Sequence, residues 1–202
     1  IPYYIGVAIH DYNRVSVAAV FGAVARRSED RTRSASTDVR VGSYELDNSN
    51  FSGGGGNFSF FGGGSAEAAM PIEDDYTGIR QAIWFMADRD YKNVVEELAQ
   101  KKALMESKLM VDKPDDFARE TPTVHFDPRL DLALDRGRLE ELATALSAVF
   151  REYPDLQSSS VSLSAYAGNK YLVNTEGTRL RTGTQRLALS ARATVQADDG
   201  MK

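Results

Sequence analysis

The residues that could carry out chemistry in this chain are two histidines and a few paired carboxylates. His10 precedes Asp11, and His125 lies two residues before Asp127. Zinc sites use three or four His, Cys or carboxylate ligands, often with two histidines on one helix, and the motif H-E-x-x-H does not occur. We therefore expect both histidines to be structural or surface residues, and we assign no catalytic, cofactor-binding or metal-binding residue.

The carboxylate pairs and the serines do not form a recognisable catalytic centre either. A serine hydrolase needs a serine, a base and an orienting acid, and the motif G-x-S-x-G is absent. The chain has no cysteine, which excludes disulfides, thiolate metal sites and cysteine nucleophiles. The acidic pairs flank predicted helices or turns, where a solvated surface is the usual environment; they are Asp74-Asp75, Asp115-Asp116 and Asp198-Asp199.

Composition limits the partners that the chain can be expected to have. Its 202 residues carry a net charge of −5, which gives no electrostatic reason to expect nucleic acid or an anionic membrane as partner. No apolar run approaches the roughly 18 residues that a membrane span requires. We expect a soluble domain of 1–202, truncated at its C-terminal end and belonging to a larger protein.

Strands are predicted in the first 44 residues. Residues 3–9, 14–26 and 31–44 are rich in β-branched, aromatic or alternating residues. Asp11-Tyr12-Asn13 supplies a turn between the first two, and Gly22 marks a bulge or a close backbone approach. These patterns predict a three-stranded antiparallel meander.

A glycine-rich segment follows the predicted meander. Glycine runs at 53–56 and 62–64 surround Phe58, Phe60 and Phe61. Because polyglycine loses much backbone entropy on ordering, we predict a flexible surface loop at about 52–66. A flap whose aromatic residues touch a ligand or partner is the other interpretation.

Two amphipathic helices are predicted downstream, separated by a proline-containing arm at 109–136. Acidic residues 73–75 precede the first helix, which extends to about Ser107, with Lys101 and Lys102 near its negative end. The second helix covers 138–153, and Pro154 ends it. Trp84 is expected in the core. Apolar residues predicted to face inward are Tyr76, Ile79, Ile83, Met86, Val94 and Leu98 in the first helix, and Leu139, Leu142, Ala143, Leu146, Val149 and Phe150 in the second.

Strands at 159–167, 169–174 and 184–196 complete the pattern, with a turn signal at 174–177 and a possible extension of the hairpin over 178–182. We predict an α+β fold in which N- and C-terminal strands form a mainly antiparallel sheet with two amphipathic helices packed on one face.

Five segments with distinctive residues occur in a fixed order along the chain. They are 38–48 (DVRVGSYELDN), 74–92 (DDYTGIRQAIWFMADRDYK), 146–154 (LSAVFREYP), 174–179 (NTEGTR) and 197–201 (ADDGM). In this order they resemble the TldD/PmbA family of zinc-dependent peptidases and related proteins, over nearly the whole chain. The resemblance implies an N-terminal α/β domain, followed in active members by a C-terminal domain that holds an H-E-x-x-x-H-type zinc motif. That motif is missing here, so no metal or catalytic residue is carried over from the family.

The resemblance also suggests what the domain does. We expect the N-terminal domain of a metallopeptidase, which shapes a peptide-substrate chamber and supports homo- or hetero-dimer assembly with a family member. Zinc is expected in the C-terminal domain if the parent protein is active. A binding or assembly domain of a protein without peptidase activity is the alternative, and an H-E-x-x-x-H helix just downstream in the gene would distinguish the two. The compartment stays open, with export to the periplasm slightly favoured.

Overall fold

The computed structural model describes residues 1–50, 67–107, 114–131 and 133–196. These residues form a mixed, mostly antiparallel sheet and two helices, which confirms the α+β class and the origin of the sheet in strands from both ends of the chain. The sheet order is β3-β2-β1-β5-β6-β4. The elements are β1 (Pro2–Val20), β2 (Ala23–Val41), β3 (Ala68–Ala69), α1 (Tyr76–Ser107), β4 (Val124–Phe126), α2 (Arg136–Ala148), a 3₁₀ helix (Val149–Glu152), β5 (Leu156–Asn174) and β6 (Arg179–Val195).

The first two strands form one long hairpin, so the predicted three-stranded meander is wrong. Asp11 and Asn13 lie inside β1 because β2 supplies partners for their buried side chains. Oδ1 of Asp11 lies 2.7 Å from Nη2 of Arg31, and Nδ2 of Asn13 donates to Glu29 at 3.4 Å. Residues typical of turns are thereby held in a strand.

The hairpin turns at Phe21 and Gly22 instead. Both residues have positive φ, 44° and 79°, as a two-residue turn between twisted strands requires. The backbone N–H of Gly22 donates to Oγ of Ser147, and Nε of Arg151 donates to the carbonyl of Phe21. The segment that follows α2 therefore supports the turn.

Replacing Gly22 with alanine is expected to lower the free energy of unfolding by about 1–2 kcal/mol, because a side chain at this φ is strained. The new methyl group would also lie 2.5 Å from Nη2 of Arg151, which would have to shift. Urea denaturation followed by circular dichroism measures the loss. Gly137→Ala is the matched control, because that glycine lies in α2 and its Cβ would meet only Oδ1 of Asp135, at 3.4 Å. Equal effects of the two changes would contradict a special role for the turn.

The later strands are also longer than predicted. The segments 159–167 and 169–174 form the single strand β5, and the predicted turn at 174–177 and the extension of the hairpin through 178–182 are confirmed. The arm contains a strand that the sequence did not indicate: β4 pairs in parallel with β6, Val124 opposite Arg179 and Phe126 opposite Arg181. The glycine-rich loop predicted at 52–66, the first residues of the arm and Asp198-Asp199 lie outside the described residues.

The chain divides into two compact units, and the same strands contribute to both. The first unit comprises Ile1–His10, Arg33–Pro128 and Lys170–Thr182 and includes α1. The second comprises Asp11–Thr32, Arg129–Asn169 and Gly183–Lys202 and includes α2. No helix among the described residues is both long enough and apolar enough to cross a membrane.

Each helix packs against strands of its own unit. On α1, Met86 packs with Ala35 and Met70, and Val94 packs with Val39 and Val41. Ile79, Ile83 and Leu98 join these clusters, as predicted, whereas Tyr76 and Trp84 are exposed, which corrects their expected burial. On α2, Leu139 and Ala143 pack with Val15, Val17, Ala19 and Leu163.

Candidate functional site

The two histidines each contact a single carboxylate. Nδ1 of His10 lies 3.0 Å from Glu67, and Nε2 of His125 lies 2.9 Å from Asp127. Among the residues that the structure describes, no group of three or more His, Asp or Glu side chains could hold a metal ion. The donor set of the described part of the chain therefore does not fit zinc, which needs three or four ligands.

The acidic pairs have more specific roles than a solvated surface. Asp75 caps α1, because its carboxylate accepts from the backbone N–H groups of Thr77 and Gly78. Asp74 accepts from the buried Arg33 guanidinium at 2.6 Å. Asp116 is buried, so its predicted place on a solvated surface is wrong.

Asp116 belongs to a buried polar network centred on Lys101 of α1. The ammonium of Lys101 donates to Oδ2 of Asp116 at 2.6 Å and to the carbonyls of Asp47 and Ser49 at 2.8 and 2.5 Å. Oδ2 of Asp116 also accepts from the backbone N–H of Asp47. Because Lys101 is only 4% exposed, these bonds replace water around its charge. One lysine thus ties α1 to the segment after β2 and to the arm.

A second cation, Arg40 on β2, extends the network. Its guanidinium donates to Asp38 through Nε and Nη2 and to Asp47 through Nη1, at 3.1–3.2 Å. The fully buried Asp47 also accepts from the hydroxyl of Tyr3 at 2.7 Å and from Ser49. Each charge in this part of the network therefore has an opposite charge within hydrogen-bonding distance.

Aromatic rings cover the Arg40 side of the network. The guanidinium of Arg40 lies 3.9 Å from the ring centroid of Phe117, and that of Arg119 lies 4.2 Å from the centroid of Tyr44. The rings of Tyr44 and Phe117 are stacked, and the hydroxyl of Tyr44 donates to Glu176 at 2.6 Å. Cation–π contacts of this kind position flat side chains firmly.

Burial shifts the pKa of several groups in and beside the network. Burial raises the pKa of Asp38, and the nearby Arg40 guanidinium opposes that rise. Burial and the hydrogen bond to Asp47 raise the pKa of Tyr3, so its hydroxyl stays protonated and donates. Burial also raises the pKa of Glu97, while a hydrogen bond with Asn48 opposes the rise. The network can orient the segments around Asp47 and Asp116.

One cavity lies within the second unit. It has a volume of about 370 Å³ and is lined by Arg31, Arg129, Leu130 and Asp131. Arg31 is already paired with the buried Asp11. The lining mixes both charges, and the cavity brings together no nucleophile and base.

Exposed apolar side chains form three surfaces that the sequence analysis did not assign. The first lies on α1, where Trp84 is 61% exposed and its ring contacts Phe85 edge to face. The second is the outer part of β6, where Leu187, Leu189 and Val195 are exposed at odd-numbered positions of the strand. Among the described strands, β4 pairs only with the first three residues of β6, so 184–195 form an edge of the sheet.

The third surface, which we call the outward stripe of α2, comprises Leu142 and Leu146 on α2, Val149 at the start of the 3₁₀ helix that continues it, and Tyr153 directly after that helix. All four are exposed, which corrects the predicted burial of Leu142, Leu146 and Val149. The sheet side of α2 instead presents Leu139, Ala143 and Ser147. Leu142 directly precedes the buried Ala143, and Leu146 directly precedes the buried Ser147. At about 100° per residue the exposed stripe therefore runs beside the buried one, and the sheet leaves it uncovered.

Comparison with known proteins places the fold. No protein-family model and no curated protein matches the sequence. A proposed modulator of DNA gyrase from Thermotoga maritima MSB8 has the same fold, with 10% identity and a TM-score of 0.53, over 96% of this chain and 36% of that one. Another, from Bacteroides thetaiotaomicron VPI-5482, has 11% identity and a TM-score of 0.53, over 98% of this chain and 38% of that one.

A third structure, TldE from Thermococcus kodakarensis, has 8% identity and a TM-score of 0.46, over 97% of this chain and 37% of that one. The fold expected from the resemblance to the TldD/PmbA family is confirmed by the two closer likenesses. The chain spans less than two-fifths of the length of the structures that it matches.

Proposed function

We propose that this chain is the non-catalytic N-terminal domain of a TldD/PmbA-like metallopeptidase, where it shapes the peptide-substrate chamber and supports dimer assembly. One observation carries the proposal. Nearly all of the chain matches the fold of only 36–38% of two longer chains, which supports a place as one part of a longer protein.

The distribution of side chains supports a role in shaping and joining. The charged groups that lie close together, around Lys101 and Arg40, are paired with one another and orient loops. The described surface carries exposed apolar side chains on both helices and on β6. The free energy falls when another surface covers apolar side chains. A longer protein would provide such a surface.

The edge of β6 is the surface that we propose borders the chamber. On the side of 184–195 that faces away from β5, the backbone has no partner strand among the described residues and can accept another extended strand. Leu187 and Leu189 lie on one side of that strand, so an added strand would meet apolar side chains at alternate positions. Either a bound peptide or another strand of the same protein could pair with this edge.

The proposed function is tested by comparing this chain with the longer protein to which we propose it belongs. The longer protein is expected to bind about one zinc per chain and to cleave an unfolded polypeptide, with loss of cleavage on chelation and recovery on zinc addition. The 202-residue chain is expected to do neither. Elemental analysis and a casein digestion assay measure the two properties.

Stoichiometric zinc together with cleavage in the 202-residue chain would contradict a non-catalytic domain. Neither zinc nor cleavage in the longer protein would leave only the alternative, a binding or assembly domain without peptidase activity.

A further inference from the structure

We infer that the outward stripe of α2 is the contact surface for a second copy of this chain, which packs there antiparallel about a two-fold axis near Ala145. The inference rests on the proposed function in dimer assembly and identifies the surface involved. It starts from the exposed stripe that runs along α2 beside the buried residues Leu139 and Ala143.

The charges at the ends of the stripe point to a second copy as the occupant. Arg138 lies seven residues before Ala145, and Glu152 lies seven residues after it. α2 ends at Ala148, and residues 149–152 form a 3₁₀ helix. Arg138 therefore lies about 10 Å before Ala145 along the axis and Glu152 about 12 Å after it, and at 3.6 and then three residues per turn both project from about the same side as the outward stripe. Both are exposed, and neither makes an ion pair with the described residues.

An antiparallel pair turns this arrangement into complementarity. A two-fold axis at Ala145 brings Arg138 of one copy beside Glu152 of the other, and the symmetry repeats the pair. A parallel pair would instead place Arg138 beside Arg138 and Glu152 beside Glu152. The opposite charges at the two ends therefore favour the antiparallel copy.

The apolar residues between the charges suit close helix packing. Leu142 lies three residues before Ala145, and Val149, the first residue of the 3₁₀ helix, lies four residues after it. Both therefore lie beside Ala145 on the exposed side, where a second helix can pack between them. Ala145 is exposed and small, so two backbones can approach at the axis. With only the four side chains of the stripe from each copy, the contact is small, and an affinity in the micromolar range is expected.

Sedimentation velocity of the 202-residue chain over a concentration series tests the inference. The chain is expected to dimerise below about 100 µM. Arg138→Glu alone and Glu152→Arg alone are each expected to weaken dimerisation by about tenfold or more, because each variant places like charges at both ends of the contact. An equimolar mixture of the two variants is expected to recover association. In the mixed pair, the copy with a glutamate at both positions faces the copy with an arginine at both, so opposite charges meet again at each end.

Lys102→Glu is the matched control, since it makes the same change in net charge as Arg138→Glu at an exposed position on α1 and is expected to leave dimerisation unchanged. A chain that stays monomeric up to that concentration overturns the inference, as do charge reversals without effect or a mixture that does not recover. These outcomes leave the proposed place of the chain in a metallopeptidase standing, because the test of that proposal measures zinc and peptide cleavage by the longer protein.

Discussion

Replacing Lys101 with methionine is expected to lower the free energy of unfolding by about 3–5 kcal/mol, the cost of breaking a buried ion pair by removing one partner. Methionine fills much of the space of the lysine side chain, but it cannot donate the hydrogen bonds that Lys101 makes to Asp116 and to the carbonyls of Asp47 and Ser49. Asp116 loses a cation at 2.6 Å, and the carbonyls of Asp47 and Ser49 lose their donor. Urea denaturation followed by circular dichroism measures the loss.

The neighbouring Lys102 provides the control for this experiment. It lies on the same helix and is exposed, so Lys102→Met should change stability by no more than about 0.5 kcal/mol. The double variant Lys101→Met/Asp116→Leu should recover part of the loss, because it no longer buries the carboxylate. A loss below about 1 kcal/mol for Lys101→Met would show that the pair behaves like a surface salt bridge.

Replacing Leu163 with alanine is expected to cost about 2–5 kcal/mol, through lost burial and the cavity left behind. Leu163 is 0% exposed and lies in the cluster of the second unit, where Val15, Val17 and Leu139 surround it. Because α2 meets the sheet at this cluster, the change should also loosen that helix. Hydrogen exchange of the α2 amides, measured beside the denaturation curve, reports this loosening.

Leu187→Ala is the matched control for the core substitution. Leu187 is 63% exposed on β6, so its truncation should change stability by about 0.5 kcal/mol or less. Similar losses at the two positions would mean that β6 is covered in solution and would support contact through its edge.

The sequence predicts α1 well because the pattern there is local. Ile79, Ile83 and Met86 recur at helical spacing, and all three pack in the core. Tyr76 fits the same spacing but is the first residue of the helix, and it is exposed. Spacing alone does not indicate where along a helix the contact with the sheet begins.

The errors on α2 have a different origin. The stripe with Leu139 and Ala143 and the stripe with Leu142 and Leu146 both have helical spacing, so the pattern does not decide which one the sheet covers. The sheet covers the side with the smaller residues, where Ser147 also reaches Gly22. That choice depends on a turn far away in the sequence.

The Lys101 network could not be assembled from the sequence at all. Its partners lie 52–54 residues before Lys101 and 15 residues after it. A lysine at position 101 also has a simple local explanation, because it lies near the negative end of the helix dipole. The same explanation applies to Lys102, which is exposed. The turn predicted at Asp11 and Asn13 is wrong for the same reason. Their partners lie on the other strand of the hairpin and are Arg31 and Glu29.

The position of Trp84 gives the protein a built-in optical reporter. It is the single tryptophan of the chain, and its indole lies at the surface of α1 beside Phe85. Its emission should be that of a water-exposed indole and should be quenched readily by acrylamide. A macromolecule that settles on this part of α1 would shift the emission to shorter wavelength and shield it from the quencher, whereas one bound elsewhere would leave the spectrum unchanged. Fluorescence titration can therefore map where a partner binds without attaching any dye.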